Sequence, residues 1–241
     1  MRYIENMDNF LPRLKQAAVL LLFFLIFVPV NSVSADKLQW SITGSILYFP
    51  ADNGVDSDPA PILPSLGVAL SFQLTGPLRL EFTEDIYITN YEYNSELGYP
   101  MACNPENRSA LVIGFITGIQ FTGNFPLGGK GAAFRAYAGP SADLRLVALA
   151  AGLKHPSDFS GDIKTDAQLQ TNAIRDHFWS DARWFMPVAG LGMDFPINEK
   201  FLLGFDLRAW FPVYKAWTDK DLPAINGWRF GVGIRITPRG N

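Results

Sequence analysis

The stretch Trp228-Arg229-Phe230-Gly231-Val232-Gly233-Ile234-Arg235-Ile236 decides the fold. Trp228, Phe230, Val232, Ile234 and Ile236 alternate with Arg229, Gly231, Gly233 and Arg235. Successive side chains of a strand point to opposite faces, so period two is a strand signal. Here one face is wholly apolar, and the other carries glycine and arginine. Working back along the chain, the pattern recurs. Phe201, Leu203, Phe205, Leu207, Ala209 and Phe211 alternate with Leu202, Gly204, Asp206, Arg208 and Trp210. Phe185, Pro187, Ala189, Leu191, Met193 and Phe195 make an apolar set, as do Phe134, Ala136, Ala138, Pro140, Ala142 and Leu144.

Four earlier segments obey the same rule. Their apolar sets are Leu111-Ile113-Phe115-Ile119-Phe121, Leu78-Leu80-Phe82-Ile86-Ile88, Leu66-Val68-Leu70-Phe72-Leu74 and Trp40-Ile42-Ile46-Tyr48. The total is eight strands of about 10 to 12 residues, the length a tilted strand needs to cross a bilayer. Glu84 falls on the apolar face of the third strand. Facing lipid costs a carboxylate energy, so the pattern predicts that it lies near the interface or is re-aimed by a bulge. Pro140 and Pro187 cannot donate to a ladder and predict local irregularity.

Connections alternate in length. Thr75-Gly76-Pro77, Thr122 to Gly131 and Pro196 to Lys200 are the short set. Pro50 to Pro64, Asn90 to Ser109, Val147 to Arg183 and Pro212 to Asn226 are long. Aromatic residues collect at strand ends: Phe121, Phe134, Phe195 and Phe201 by the short turns, and Tyr48, Phe49, Phe185, Phe211 and Trp228 by the long loops. These read as two interfacial girdles. The fold expected is all-β, an eight-stranded antiparallel transmembrane β-barrel with short periplasmic turns and four long extracellular loops. The competing architecture is a soluble barrel of lipocalin type, with the apolar set turned inward.

The leader fits this reading. Arg13 and Lys15 precede the apolar run Ala17 to Val28, which is too short to span a bilayer and matches a signal peptide. Val33-Ser34-Ala35 supplies the small residues of a cleavage site. Residues 1–35 are expected to be a signal peptide cleaved before Asp36, and 36–241 the barrel, placed in the outer membrane among its lipids.

Composition excludes other classes. The 241 residues are 48% hydrophobic and 18% charged, which excludes intrinsic disorder. One cysteine and two histidines leave no disulfide framework and little material for a metal site, so neither metal nor cofactor is expected. A net charge of −3 gives no basic excess for nucleic acid.

The stretches Phe134-Arg135-Ala136-Tyr137-Ala138-Gly139, Gly190-Leu191-Gly192-Met193-Asp194-Phe195 with Leu207-Arg208, and Gly231-Val232-Gly233-Ile234-Arg235 resemble small barrels of the outer membrane protein W type and the outer membrane protein A transmembrane-domain type. The resemblance spans the whole chain from Asp36. It implies passage of small, mostly hydrophobic molecules or ions through a narrow barrel that opens sideways to lipid. Such barrels commonly end in an aromatic residue; this chain ends Thr237-Pro238-Arg239-Gly240-Asn241.

Eight strands enclose an interior just wide enough for side chains. The inward positions carry Glu81, Asp85, Asp143, Asp194 and Asp206 against Arg79, Arg135, Arg145, Arg208, Arg229 and Arg235. Arginine forks pair well with carboxylates, so the set reads as a network that either staples the barrel or gates it. Tyr87, Trp184, Met186 and Trp210 point inward near the outer mouth. They either line an apolar vestibule for a small apolar solute or close the top. His155-Pro156-Ser157, with acids nearby, suggests a lipid-modifying hydrolase, but it lacks a rigid strand to hold the geometry, so no catalytic residue is assigned. Cys103 reads as a covered thiol or the site of an intermolecular bridge. The third long loop carries mixed charge and His177-Phe178-Trp179, and Thr165 to His177 suits a short surface helix. A surface-interaction role for the loops, toward an extracellular partner, is the second functional reading.

Overall fold

The computed structural model describes residues 38–49, 62–94, 99–103, 110–128, 131–148, 163–213 and 227–239. The expected signal segment and the His155-Pro156-Ser157 motif lie outside the described residues. The strands are β1 (Leu38–Tyr48), β2 (Ile62–Thr75), β3 (Leu78–Asn94), β4 (Tyr99–Cys103), β5 (Ala110–Leu127), β6 (Ala132–Gly139), β7 (Ser141–Ala148), β8 (Val188–Pro196), β9 (Phe201–Trp210) and β10 (Arg229–Pro238). Among the described residues one long helix, α1, spans Ile163–Trp179.

The sheet closes on itself. Neighbours run β1-β2-β3-β5, then β6 with β7, then β8-β9-β10, and β10 returns to β1 with Ile42 opposite Ile236. The described strands pair antiparallel, as in β9 with β10, where Asp206 faces Gly233. β6 and β7 together form one stave, so the barrel has eight. Closure pairs the strands on both sides around the ring, narrowing to a single bridge where β7 meets the chain entering β8, and such pairing is what a backbone in hydrocarbon requires. At the inner end Gly76 turns the chain between β2 and β3 with φ 50°, a conformation that glycine adopts without steric cost.

Side-chain orientation rules out the lipocalin arrangement. Leu66, Phe121, Val232, Leu207 and Ile46 are each more than half exposed, whereas Ser41, Thr43, Glu81, Asp85, Arg135, Asp206 and Arg235 are buried. An apolar belt of this extent would be untenable in water and is what a bilayer solvates.

Four expectations need correction. Pro140 splits the fifth stave, so the expected strand through Leu144 is two, β6 and β7. Its carbonyl still accepts from the Ile119 amide at 3.0 Å, so only the proline's own missing N–H interrupts the ladder. Glu84 lies neither at the interface nor on a bulge. It faces outward midway along β3, in unbroken register between Val68 and Thr117. The Thr117 hydroxyl donates to its Oε2 at 2.5 Å, which satisfies part of the carboxyl within the belt. Phe49 is no girdle residue. It is 7% exposed and turned into the barrel, because it continues the inward parity of Leu47. Finally, β3 runs on to Asn94 and β4 pairs back on it, Asn90 opposite Cys103, so part of the second long connection is hairpin.

The third long connection also contributes to the core. α1 buries Ile174 and Phe178 against Tyr91, Ala110 and Val112, rather than lying free on the surface. Its end is fixed by Arg183, whose Nη1 donates to the His177 carbonyl at 2.9 Å and to Ser180 Oγ at 2.9 Å.

Candidate functional site in the barrel lumen

The inward face of each strand holds polar residues because water is absent on the outward one. The lumen is therefore built by parity, and closure brings distant residues together. Four levels succeed one another from the inner end outward.

At the inner mouth Arg79 Nε donates to Gln73 Oε1 at 3.0 Å, and its Nη1 donates to Gln39. Arg79 is half-buried and makes no ion pair among the described residues, so it stands apart from the network that the sequence reading assigned it to. Above it, Arg235 takes Glu81 with both Nη atoms, at 2.7 and 2.8 Å, and reaches Asp206 with Nε at 3.3 Å. Arg135 pairs with Asp194 at 2.6 Å and with Asp206 at 3.1 Å. Tyr137 donates to Asp206 at 3.1 Å. At the middle level Arg208 takes Asp85 with both Nη atoms and donates to Ser45 Oγ at 2.5 Å. Its Cζ lies 5.1 Å from the Trp210 ring.

The outer level is different in kind. Asp143 receives Arg145 and Arg229 at 2.5 Å each, and the Tyr87 hydroxyl at 2.9 Å. Around it lies an apolar cluster of Leu47, Phe49, Leu63, Tyr87, Ile116, Met186, Val188 and Trp210. Phe178 of α1 covers Arg145, with Cζ 4.2 Å from the ring centre. Of the four mouth residues, Tyr87, Met186 and Trp210 meet in this cluster. Trp184 does not: it is half-buried beside Phe185, with ring centres 6.1 Å apart. Cys103 is buried.

Buried arginine–carboxylate pairs with two-point geometry are costly to break. They occupy three successive levels of a lumen that eight strands already make narrow. Sequence reasoning missed Ser45, Leu47, Phe49 and Phe178 as site residues. The first three were legible from inward parity along β1. Phe178 was not, because a loop helix has no parity relation to the barrel.

Among the described residues the wall has one seam. Between β7 and the chain entering β8, pairing narrows to the Ala142–Phe185 bridge, with Asp143 N donating to the Trp184 carbonyl at 2.7 Å and Met186 N to the Ser141 carbonyl at 2.9 Å. Pro140 and Pro187 flank it. Just inward of the seam the outer wall is shallow: Ala138, Ala189 and Ala209 stand in one cross-strand row between Phe121 and Phe230. These side chains floor an apolar depression on the lipid side.

A closed eight-stranded ring, charged within and apolar without, settles the setting. The chain is an outer-membrane β-barrel. Solved structures of small barrels of this kind cover most of it. Neisserial surface protein A is 10% identical, with 84% of this chain and 97% of that one covered at a TM-score of 0.47. OprG from Pseudomonas aeruginosa is 10% identical, covering 83% and 96% at 0.46. Ail, the attachment invasion locus protein of Yersinia pestis, is 7% identical, covering 84% and 96% at 0.44. No family model and no curated protein matches the sequence.

Proposed function

We propose that the barrel passes small apolar solutes across the outer leaflet and releases them sideways into the membrane, while staying closed to ions. One observation carries this reading. The outer third of the lumen is an apolar cluster that rests on a floor of ion pairs and abuts the proline-flanked seam at Met186 and Ser141. An aqueous solute would have to part the Arg208–Asp85 and Arg235–Glu81 pairs. An apolar one leaving at the seam would meet the alanine-floored depression on the lipid face.

The test has two arms. In planar bilayers the refolded protein is expected to be silent, with heat-modifiable gel mobility proving it folded. Discrete, reproducible openings would sink the closed-lumen part of the reading. In bacteria with a lipopolysaccharide outer leaflet, the protein is expected to speed uptake of radiolabelled octane. Met186→Trp, which fills the cluster, is expected to abolish the gain. Uptake no faster than in cells lacking the protein would overturn the transport reading.

A further inference from the structure

Charge is distributed unevenly along the lumen, with arginine in excess at its outer end. Asp85 is matched by Arg208, whereas Glu81, Asp194 and Asp206 outnumber their partners Arg135 and Arg235 by one. At the outer level, among the described residues, two guanidiniums share one carboxylate. Arg145 Nε and Arg229 Nη1 both bond the same oxygen, Asp143 Oδ2. The Tyr87 hydroxyl, 2.9 Å from Oδ1, adds no charge. Arg145 and Arg229 are 3% and 1% exposed, and three of their N–H-bearing nitrogens have no hydrogen-bond acceptor among the described residues: Arg145 Nη2, Arg229 Nε and Arg229 Nη2.

Both outer arginines are held by their flat faces. Phe178 lies over Arg145, and Phe49 lies over Arg229 at 4.5 Å. Stacking leaves the guanidinium edges, where the N–H groups lie, as the free bonding direction. Buried donors without acceptors and a buried charge without its counterpart are both costly. A single anionic group bound at those edges would supply acceptors and charge together. Leu47, Tyr87, Met186 and Trp210 make the surroundings apolar.

From this we infer that the outer lumen is a binding site for the carboxylate head of an amphipathic molecule, with Arg145 and Arg229 taking the head and the apolar cluster taking the tail. The inference rests on the apolar-solute reading above and names its substrate class. Phe178 is the roof, and the ligand enters when that ring lifts from Arg145.

The test uses the purified full-length protein in nanodiscs of uncharged phospholipid, titrated calorimetrically with octanoate, octanol and acetate. Octanoate is expected to bind about tenfold tighter than octanol or more, the worth of one charge-assisted hydrogen bond. Arg229→Gln and Arg145→Gln are each expected to shrink that preference. Arg229→Gln leaves Asp143 and Arg145 as a balanced pair, so the variant should fold, and gel mobility checks this. Octanol binding as tightly as octanoate to the native protein would overturn the carboxylate site and leave the apolar-solute reading standing. Acetate binding as tightly as octanoate would overturn the amphipathic ligand in favour of a small free anion. Binding of none of the three would overturn both readings.

Discussion

Tyr87 of β3 lies over Gly114 of β5, and its ring fills the space that a side chain on Gly114 would take. The two residues are register partners, and a Cβ built on Gly114 would overlap the ring and its hydroxyl. The ring lies along the wall instead of across the lumen, which brings its hydroxyl to Asp143. Tyr137 and Gly190 repeat the device on the far wall, with the hydroxyl on Asp206. Gly114→Ala should force Tyr87 off the wall and cost about 1–3 kcal/mol, the usual penalty for overpacking. Urea unfolding in lipid vesicles measures it. A variant as stable as the parent would show that the ring has another place to go.

Asp206 ties three residues from two other strands, Arg135, Arg235 and Tyr137. Asp206→Asn should cost about 3–5 kcal/mol, as breaking a buried pair does. It should still conduct no ions, because Arg235–Glu81 and Arg135–Asp194 continue to span the lumen. The same bilayer recording applies to Arg208→Gln. Discrete openings in either variant would identify that residue as a gate rather than a staple.

Glu84 and Thr117 form a polar pair in the apolar belt. Glu84→Leu should stabilise the barrel by about 1–2 kcal/mol, since the belt favours an apolar side chain at mid-depth. Thr117→Val should cost about 1 kcal/mol with Glu84 present, for one lost hydrogen bond, and almost nothing beside Leu at position 84. A double-mutant cycle with no coupling would contradict the contact.

Phe178 anchors α1 to the barrel mouth through Tyr91, with ring centres 4.9 Å apart, and through Arg145. Phe178→Ala should free the helix while leaving the strand ladder intact, because local and global unfolding have different free energies. Limited proteolysis between positions 163 and 187 should speed up severalfold on this local-unfolding argument, with little change in the global urea midpoint. Equal proteolysis rates would mean that the helix is held elsewhere.

The alternation from Trp228 to Ile236, repeated along seven other segments, determined the strands and which residues face the lumen. Period two fixes the face of every residue once one is known, and the long apolar belt fixes which face meets lipid. The irregularities at Pro140 and Pro187 were legible too, because proline has no N–H to give the ladder.

Register, partners and the loop helix belong to the tertiary structure alone. Nothing local in the chain says that Arg235 reaches Glu81, 154 positions away, rather than another acid at the same level. The pairing depends on the stagger of the strands when the ring closes. The same closure puts Arg145 and Arg229 on one oxygen of Asp143, which turns a near-even tally of acids and arginines into an uneven distribution along the lumen. α1 has the residues of an ordinary surface helix; only the open mouth of the barrel gives Ile174 and Phe178 somewhere to be buried. Alternation is a property of the backbone and can be read from it, whereas the distance between two side chains on different strands exists only once the sheet has closed.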